Sequence, residues 1–292
     1  MPGTTDTRRR IGRRQLQAIA EQLDTTDHDL LELLATHRYA TTNQLAQIAN
    51  LDGRWATQRS ALRQTTRRLS RHHRLGLVDH LARRIGGVRA GSSGFIWHLR
   101  EPGHRLIAQQ NSTDHQPTGT GQTPAVAGRR RRHSEPSHAF LAHTLAIAQT
   151  RLIIESAARD AGGHLTLLAT EPACWRSWIL PSGTQRWLKP DLEAITTTAG
   201  GEEDHWLIEI DLGTENPARL LTKCHIYHDH LSSGAEQAAN GGYYPQVVWL
   251  MNSTRRAEWL ERQIQTDQYL MPGLFKIVAS AEQLTRLIQQ GP

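Results

Sequence analysis

The sequence predicts a mixed α/β chain in two parts, a winged helix-turn-helix followed by a helix-flanked mixed sheet of order α-β-β-β-α-β. Three observations lead there. Residues 25–110 run helix, helix, basic helix, hairpin. Residues 137–292 alternate short apolar strands with amphipathic helices. Between them, 111–136 (NSTDHQPTGTGQTPAVAGRRRRHSEP) is dense in Gly, Pro, Thr and Ser and has no apolar periodicity, the composition of a flexible linker. With 292 residues, the chain has room for two domains of roughly 100–200 residues each.

Charge divides at the same place. The formal net charge is +6, made of +9 over residues 1–110, +2 over 111–135 and −5 over 136–292. A basic N-terminal half joined to a mildly acidic C-terminal half suits a polyanion-binding module tethered to a second function. Residues 1–24 read as a basic arm. Apolar runs of four or five residues fall far short of the about 18 a membrane span needs, and MPGTTDTRRR has no apolar stretch of the secretory kind. Two cysteines, Cys174 and Cys224, without a CxxC, argue against a disulfide framework or a thiolate zinc site. A cytoplasmic protein without a membrane partner is expected.

In the N-terminal part, Thr25 and Thr26 cap a first helix ending at His37-Arg38, and Thr41-Thr42 opens a short helix over 43–50. A third helix, about 55–74, has Leu62, Leu69 and Leu75 as its apolar contacts, and Gly76 stops it. Two strands around a Gly/Ser-rich turn follow (77–99), then a closing helix over 103–110. Opposite its leucines the third helix carries Arg59, Arg63, Gln64, Arg67, Arg68 and Arg71, with Arg54 just before it. Arginine bridges phosphates or grips guanine, and glutamine pairs with adenine. Arg83, Arg84 and Arg89 at the hairpin tip suit the backbone or minor groove. Double-stranded DNA is the partner this pattern implies. The alternative is a protein-contact winged helix whose arginines are merely solvated.

In the C-terminal part, Ser137 opens a long helix (138–163). Strands follow over 164–170, 186–198 and 205–213, the last two joined as an antiparallel hairpin by AGGEED. A helix from Pro217 to about Leu231, a strand over 245–251, a helix over 254–265, the strand FKIVA and a helix over 280–289 complete the chain. Asp191 follows Pro190 on one strand of the hairpin. Glu209 and Asp211 lie at i and i+2 on its partner, so their side chains leave one face. Carboxylates within WLIEID are costly unless paired or metal-bound. The three together make an oxygen cage suited to Mg²⁺ or Mn²⁺, which activates water against a phosphodiester.

Lys223, Tyr227 and His230 share a helix face. Tyr227 is a candidate nucleophile for a phosphotyrosine link, with a hydrogen-bonding core tyrosine as the favoured alternative. His225, His228 and His230 of HIYHDH read as packing and surface histidines rather than zinc ligands. The tryptophans of strand-like segments, Trp97, Trp187, Trp206 and Trp249, read as core.

Pro190-Asp191 followed by Glu209-Ile210-Asp211 within α-β-β-β-α-β resembles the PD-(D/E)xK nuclease core. That resemblance implies Asp191 and Glu209 as metal ligands. Asp211 stands where the family has its lysine, and Lys223 on the next helix is the residue that supplies the missing charge. Glu155 loosely matches an extra acid some members carry. Over residues 25–265 the chain also resembles the replication-relaxation proteins of plasmids and integrative elements. It does so through the winged helix and the elements KPD (189–191), EIDLGTE (209–215) and Lys223-x-x-x-Tyr227. That implies action at an origin or inverted repeat on the protein's own element, in replication or conjugative mobilisation. Two readings stay open: a Mg²⁺-dependent nicking endonuclease or relaxase, and a non-catalytic origin-binding, mobilisation or regulatory factor on a degenerate nuclease fold. A homodimer is compatible with either.

Overall fold

A computed structural model describes residues 11–81, 94–114 and 136–292. The chain divides into two compact units, Met1–Gln122 and Thr123–Pro292. Among the described residues no helix is long and apolar enough to cross a membrane.

The first unit contains α1 (Arg13–Ala20), α2 (Thr25–His37), β1 (Ala40–Thr41), α3 (Thr42–Ile48), α4 (Gln58–Arg74), β2 (Val78–Leu81), β3 (Ile96–Leu99) and α5 (Glu101–Asp114). β3 lies between β1 and β2, antiparallel to both. This is the helix–helix–helix–hairpin order the sequence predicts. Trp97 ties the hairpin to α3 by donating its indole N–H to Thr42 Oγ1 at 2.9 Å.

Three details differ. The arm expected over 1–24 contains α1, whose Leu16 and Ile19 are buried. The cap of α2 is Asp24 rather than the threonines: its carboxylate accepts from the Asp27 amide at 2.9 Å while Asp27 reciprocates at 3.2 Å, a complete capping box. The third difference is in α4, which buries Ala61, Thr65, Leu69 and His72, whereas Leu62 is exposed. At 3.6 residues per turn those four side chains span one arc, and Leu62 falls at its edge.

The second unit contains α6 (His138–Asp160), β4 (His164–Thr170), β5 (Arg176–Ile179), β6 (Gln185–Leu188), β7 (Leu192–Thr197), β8 (Glu203–Asp211), α7 (Pro217–Ser233), α8 (Ala235–Ala239), β9 (Gln246–Met251), α9 (Thr254–Thr266), β10 (Phe275–Val278) and α10 (Ala281–Gln290). Among the described residues the main sheet runs β10-β9-β8-β7-β4. β4, β7 and β8 are antiparallel, and β8, β9 and β10 are parallel. The path α6-β4-β7-β8-α7-β9 therefore follows the α-β-β-β-α-β order.

Alternation along β8 sends Trp206, Ile208 and Ile210 into a core with Ile147 and Ile154 of α6 and Leu284 and Ile288 of α10. Leu207 faces the other way, into a core with Leu220 and Cys224 of α7, Trp249 of β9 and Leu260 of α9. β8 is thus covered on both faces, which explains its continuous apolar run.

The strand expected over 186–198 is two strands in two sheets. Among the described residues β6 pairs only with β5, a hairpin the sequence reading missed, and β7 joins the main sheet. The break falls at Pro190, which has no N–H to give to a ladder.

Candidate functional site

Asp191 stands at the break. Its amide donates to the Ile208 carbonyl at 3.2 Å, and its Oδ2 accepts from the Ile210 amide at 2.8 Å. The carboxylate thereby takes over the pairing that Pro190 interrupts, and is fixed beside the end of β8. Its Oδ1 lies 3.1 Å from Nε2 of His143 on α6.

Glu209, two residues before the end of β8, is 1% exposed and points to the α7 face. Lys223 Nζ donates to its Oε2 at 2.5 Å and the Tyr227 hydroxyl donates to its Oε1 at 2.8 Å. Spacing of four residues on α7 places lysine and tyrosine one turn apart on one face, as the sequence predicts.

The electrostatics follow from burial and count. Burial pushes the Glu209 carboxyl up to about 8, against the pull of Lys223 and with a further push from Asp191. Burial alone lowers the Lys223 ammonium, but Glu209 and Asp191 outweigh it and hold it above the usual lysine range. Burial opposes the Asp191 carboxylate as well, yet His143, Lys223 and the Ile210 amide hold it below the usual carboxylate range. His143 is raised chiefly by its hydrogen bond to Asp191. Lys223 and Glu209 are thus in contact, as are His143 and Asp191, and the two pairs act on one another through charge. Nothing in the spacing of His143 within α6 shows which part of the sheet that helix crosses, so sequence reasoning alone assigns it no role.

Asp211 leaves β8 on the Glu209 face but does not join the group. Its Oδ2 accepts from Arg256 of α9 at 2.6 Å and its Oδ1 from the Gly213 amide at 3.0 Å. Gly213 has a φ of +78°, so Asp211 shapes the left-handed turn leaving the strand. Glu155 is held by Arg151 and Arg159 of its own helix. Tyr227 is fully buried, with burial and then Glu209 raising its hydroxyl well above the usual range, so it offers no accessible nucleophile. Of the histidines in HIYHDH, His225 pairs with Asp267 at 3.0 Å and His230 is buried against Trp178 and Tyr244.

Among the described residues no three His, Cys, Asp or Glu side chains gather as a metal cluster. The donors that converge are the two carboxylates of Asp191 and Glu209. Two hard oxygen donors fit Mg²⁺, which is commonly held by one or two carboxylates with water and substrate phosphate completing its shell. The third carboxylate of the expected cage, Asp211, is tied to Arg256 and the Gly213 amide rather than to this pair.

In the first unit the arginines of α4 separate into two sets. Arg59, Arg63 and Arg67 are exposed, and among the described residues they have no partner. Spaced four apart, they form one row opposite the buried arc. Gln64 is half-buried beside that row. Arg68 and Arg71 lie on the flank nearer the core. Arg68 donates to Asp24 and Asp27 at 2.8 Å, and Arg71 to Asp27 at 3.0 Å and the Gln22 carbonyl at 2.7 Å. His72 Nε2 lies 3.0 Å from the same Asp27. Arg54 pairs with Asp29 at 2.7 Å. Arg83, Arg84 and Arg89, like Arg129–Arg132 of the linker, fall outside the described residues.

No curated protein and no solved structure matches the chain. A family model described as replication-relaxation matches residues 31–246, from within α2 to the first residue of β9. The winged helix from residue 31 onward, KPD, EIDLGTE and Lys223–Tyr227 lie inside that span, and the chain belongs to the replication-relaxation family.

Proposed function

We propose that this protein binds duplex DNA of its own element through α4 and acts on a phosphodiester at the Asp191–Glu209–Lys223 centre, nicking an origin or inverted repeat. Family membership sets the chain in plasmid replication or mobilisation. The observation that carries the catalytic reading is the placement of two carboxylates and a lysine side by side: Lys223 of α7 donates to Glu209 of β8, and Asp191, just before β7, accepts from the neighbouring Ile210 amide. Arg59, Arg63 and Arg67 are unengaged donors at the helical spacing that follows a phosphate backbone or enters a major groove.

In this reading Asp191 and Glu209 hold one divalent cation of the Mg²⁺ or Mn²⁺ type. Such a cation polarises the phosphoryl oxygen and lowers the pKa of a bound water. The side chains do the rest. His143 and the Ile210 amide keep Asp191 ionised and aimed. Tyr227 orients Glu209 from below through its hydroxyl. Lys223, partly exposed, supplies the positive charge that the motif position occupied by Asp211 lacks, toward the developing charge of the phosphate.

A second reading is a DNA-binding scaffold without cleavage. It is favoured by the engagement of both Glu209 oxygens, one with Lys223 and one with Tyr227. The assay that separates the two uses supercoiled plasmid bearing the element's origin, incubated with the full-length protein and Mn²⁺. Nicked circles from wild type and none from Asp191→Ala support the catalytic reading. Intact plasmid in every lane, with a gel shift present, supports the scaffold.

A further inference from the structure

We infer that the β5–β6 hairpin is a docking platform for an unpaired segment of DNA, its bases stacking on Trp187 and its phosphates drawn by Lys189. The inference rests on the reading of Asp191 as part of a DNA-acting centre, and adds a substrate feature to it.

The hairpin stands outside the main sheet yet is firmly attached. Trp178 and Leu188 on its inner side are buried in the core with α7 and β9. Arg176 at its base is held by Glu193 and Glu236 and donates to the Cys174 carbonyl at 2.7 Å. Register then decides what faces out. Ser177 opposes Trp187 and Ile179 opposes Gln185, so these four side chains leave the other side of the ribbon. There Trp187 is 40% exposed and Ile179 is 72% exposed. Trp187 is thus the exception to the expectation that strand tryptophans are core.

Charge identifies the occupant. Residues 176–189 contain no acid. With Arg176 neutralised by its glutamates, the ribbon keeps two exposed cations: Lys189, two residues on from Trp187, and Arg186, which opposes Trp178 and so leaves the other side. Lys189 lies 4.4 Å over the ring of Trp175, which stiffens it beside the platform. An aromatic face beside a cation is the arrangement that binds single strands, because every base has a π face and every linkage a phosphate. A duplex hides its base faces inside the stack. The hairpin also leads directly into the site: Lys189, Pro190 and Asp191 are consecutive. A strand lying on β6 is delivered toward the carboxylate that begins β7.

The test is fluorescence anisotropy with the full-length protein, without divalent cation, on fluorescein-labelled oligo(dT) and on a duplex bearing the element's origin. Trp187→Ala weakens oligo(dT) binding by roughly 10-fold, the order of one lost base-stacking platform, and leaves duplex affinity unchanged. Trp187→Phe retains most of the oligo(dT) affinity. Lys189→Ala lowers the salt slope on oligo(dT) by roughly 0.7, whereas Arg186→Ala, on the other side of the ribbon, leaves it unchanged. An unaltered thermal transition shows that the ribbon has kept its fold. Wild-type and Trp187→Ala chains of equal oligo(dT) affinity overturn the inference. So does an equal loss on the duplex, or a change of oligomeric state in Trp187→Ala, which makes the ribbon an interface between copies. Because no cation or cleavage enters the assay, a failed nicking experiment leaves its result standing.

Discussion

Asp27 in the first unit and Glu209 in the second are both carboxylates buried to about the same degree, and they do opposite things. Asp27 accepts from Arg68, Arg71 and the Asp24 amide and contacts His72. Burial opposes its charge, but those partners hold its carboxyl far below the usual range. Glu209 has one lysine and one neutral hydroxyl, with Asp191 adding a second negative charge nearby, and burial pushes it up. A buried acid with more cations than it needs is a structural joint, here fastening α2 to α4. Two acids with one lysine and the imidazole of His143 between them carry no such surplus. Counting charges around each carboxylate, rather than noting that it is buried, separates the joint from the site.

The largest expected effect comes from matched isosteric changes. Asp27→Asn strands its arginines and histidine against a neutral amide and costs roughly 3 kcal/mol. Glu209→Gln removes a charge that burial already disfavours and leaves Lys223 able to reach water, so it costs less than about 1 kcal/mol. Chemical denaturation of the full-length variants measures both, and equal losses break the comparison.

The pH response has a defined sign. The folded pKa of Asp27 is depressed, so its contribution is complete above the unfolded value of about 4 and is lost as pH falls through the lower folded value. Acid titration of the first unit's stability shows that loss in wild type, and Asp27→Asn flattens it.

A smaller effect divides the α4 arginines. Arg68→Ala lowers stability by about 1–2 kcal/mol and leaves the salt dependence of duplex binding unchanged. Arg63→Ala with Arg67→Ala leaves stability within about 0.5 kcal/mol. The pair lowers the slope of log K against log salt by roughly 0.9 for each phosphate contact removed. A slope that falls for Arg68 instead places the DNA on the other flank.

The element order is legible in the sequence, because caps, periodicity and the AGGEED turn are local signals, whereas Lys223 beside Glu209 is implied by the nuclease resemblance rather than by spacing. What the sequence hid was set by tertiary placement. Arg68 and Arg71 resemble Arg63 and Arg67 in composition, and only the angle from the buried Ala61–His72 arc tells them apart. Asp211 shares a face with Glu209, yet Arg256, 45 residues later, claims it. His143 reaches Asp191 because α6 packs across the sheet end, information that no spacing within α6 contains. The β5–β6 hairpin was missed because Arg186–Thr198 reads as one strand unless Pro190 is allowed to end it.

The most direct measurement is isothermal titration of Mn²⁺ into wild type, Asp191→Ala, Glu209→Gln and Asp27→Asn. The account predicts one cation per wild-type chain, lost in Asp191→Ala and Glu209→Gln and retained in Asp27→Asn wherever that variant is folded. Binding that survives both changes at the second-unit carboxylates contradicts it.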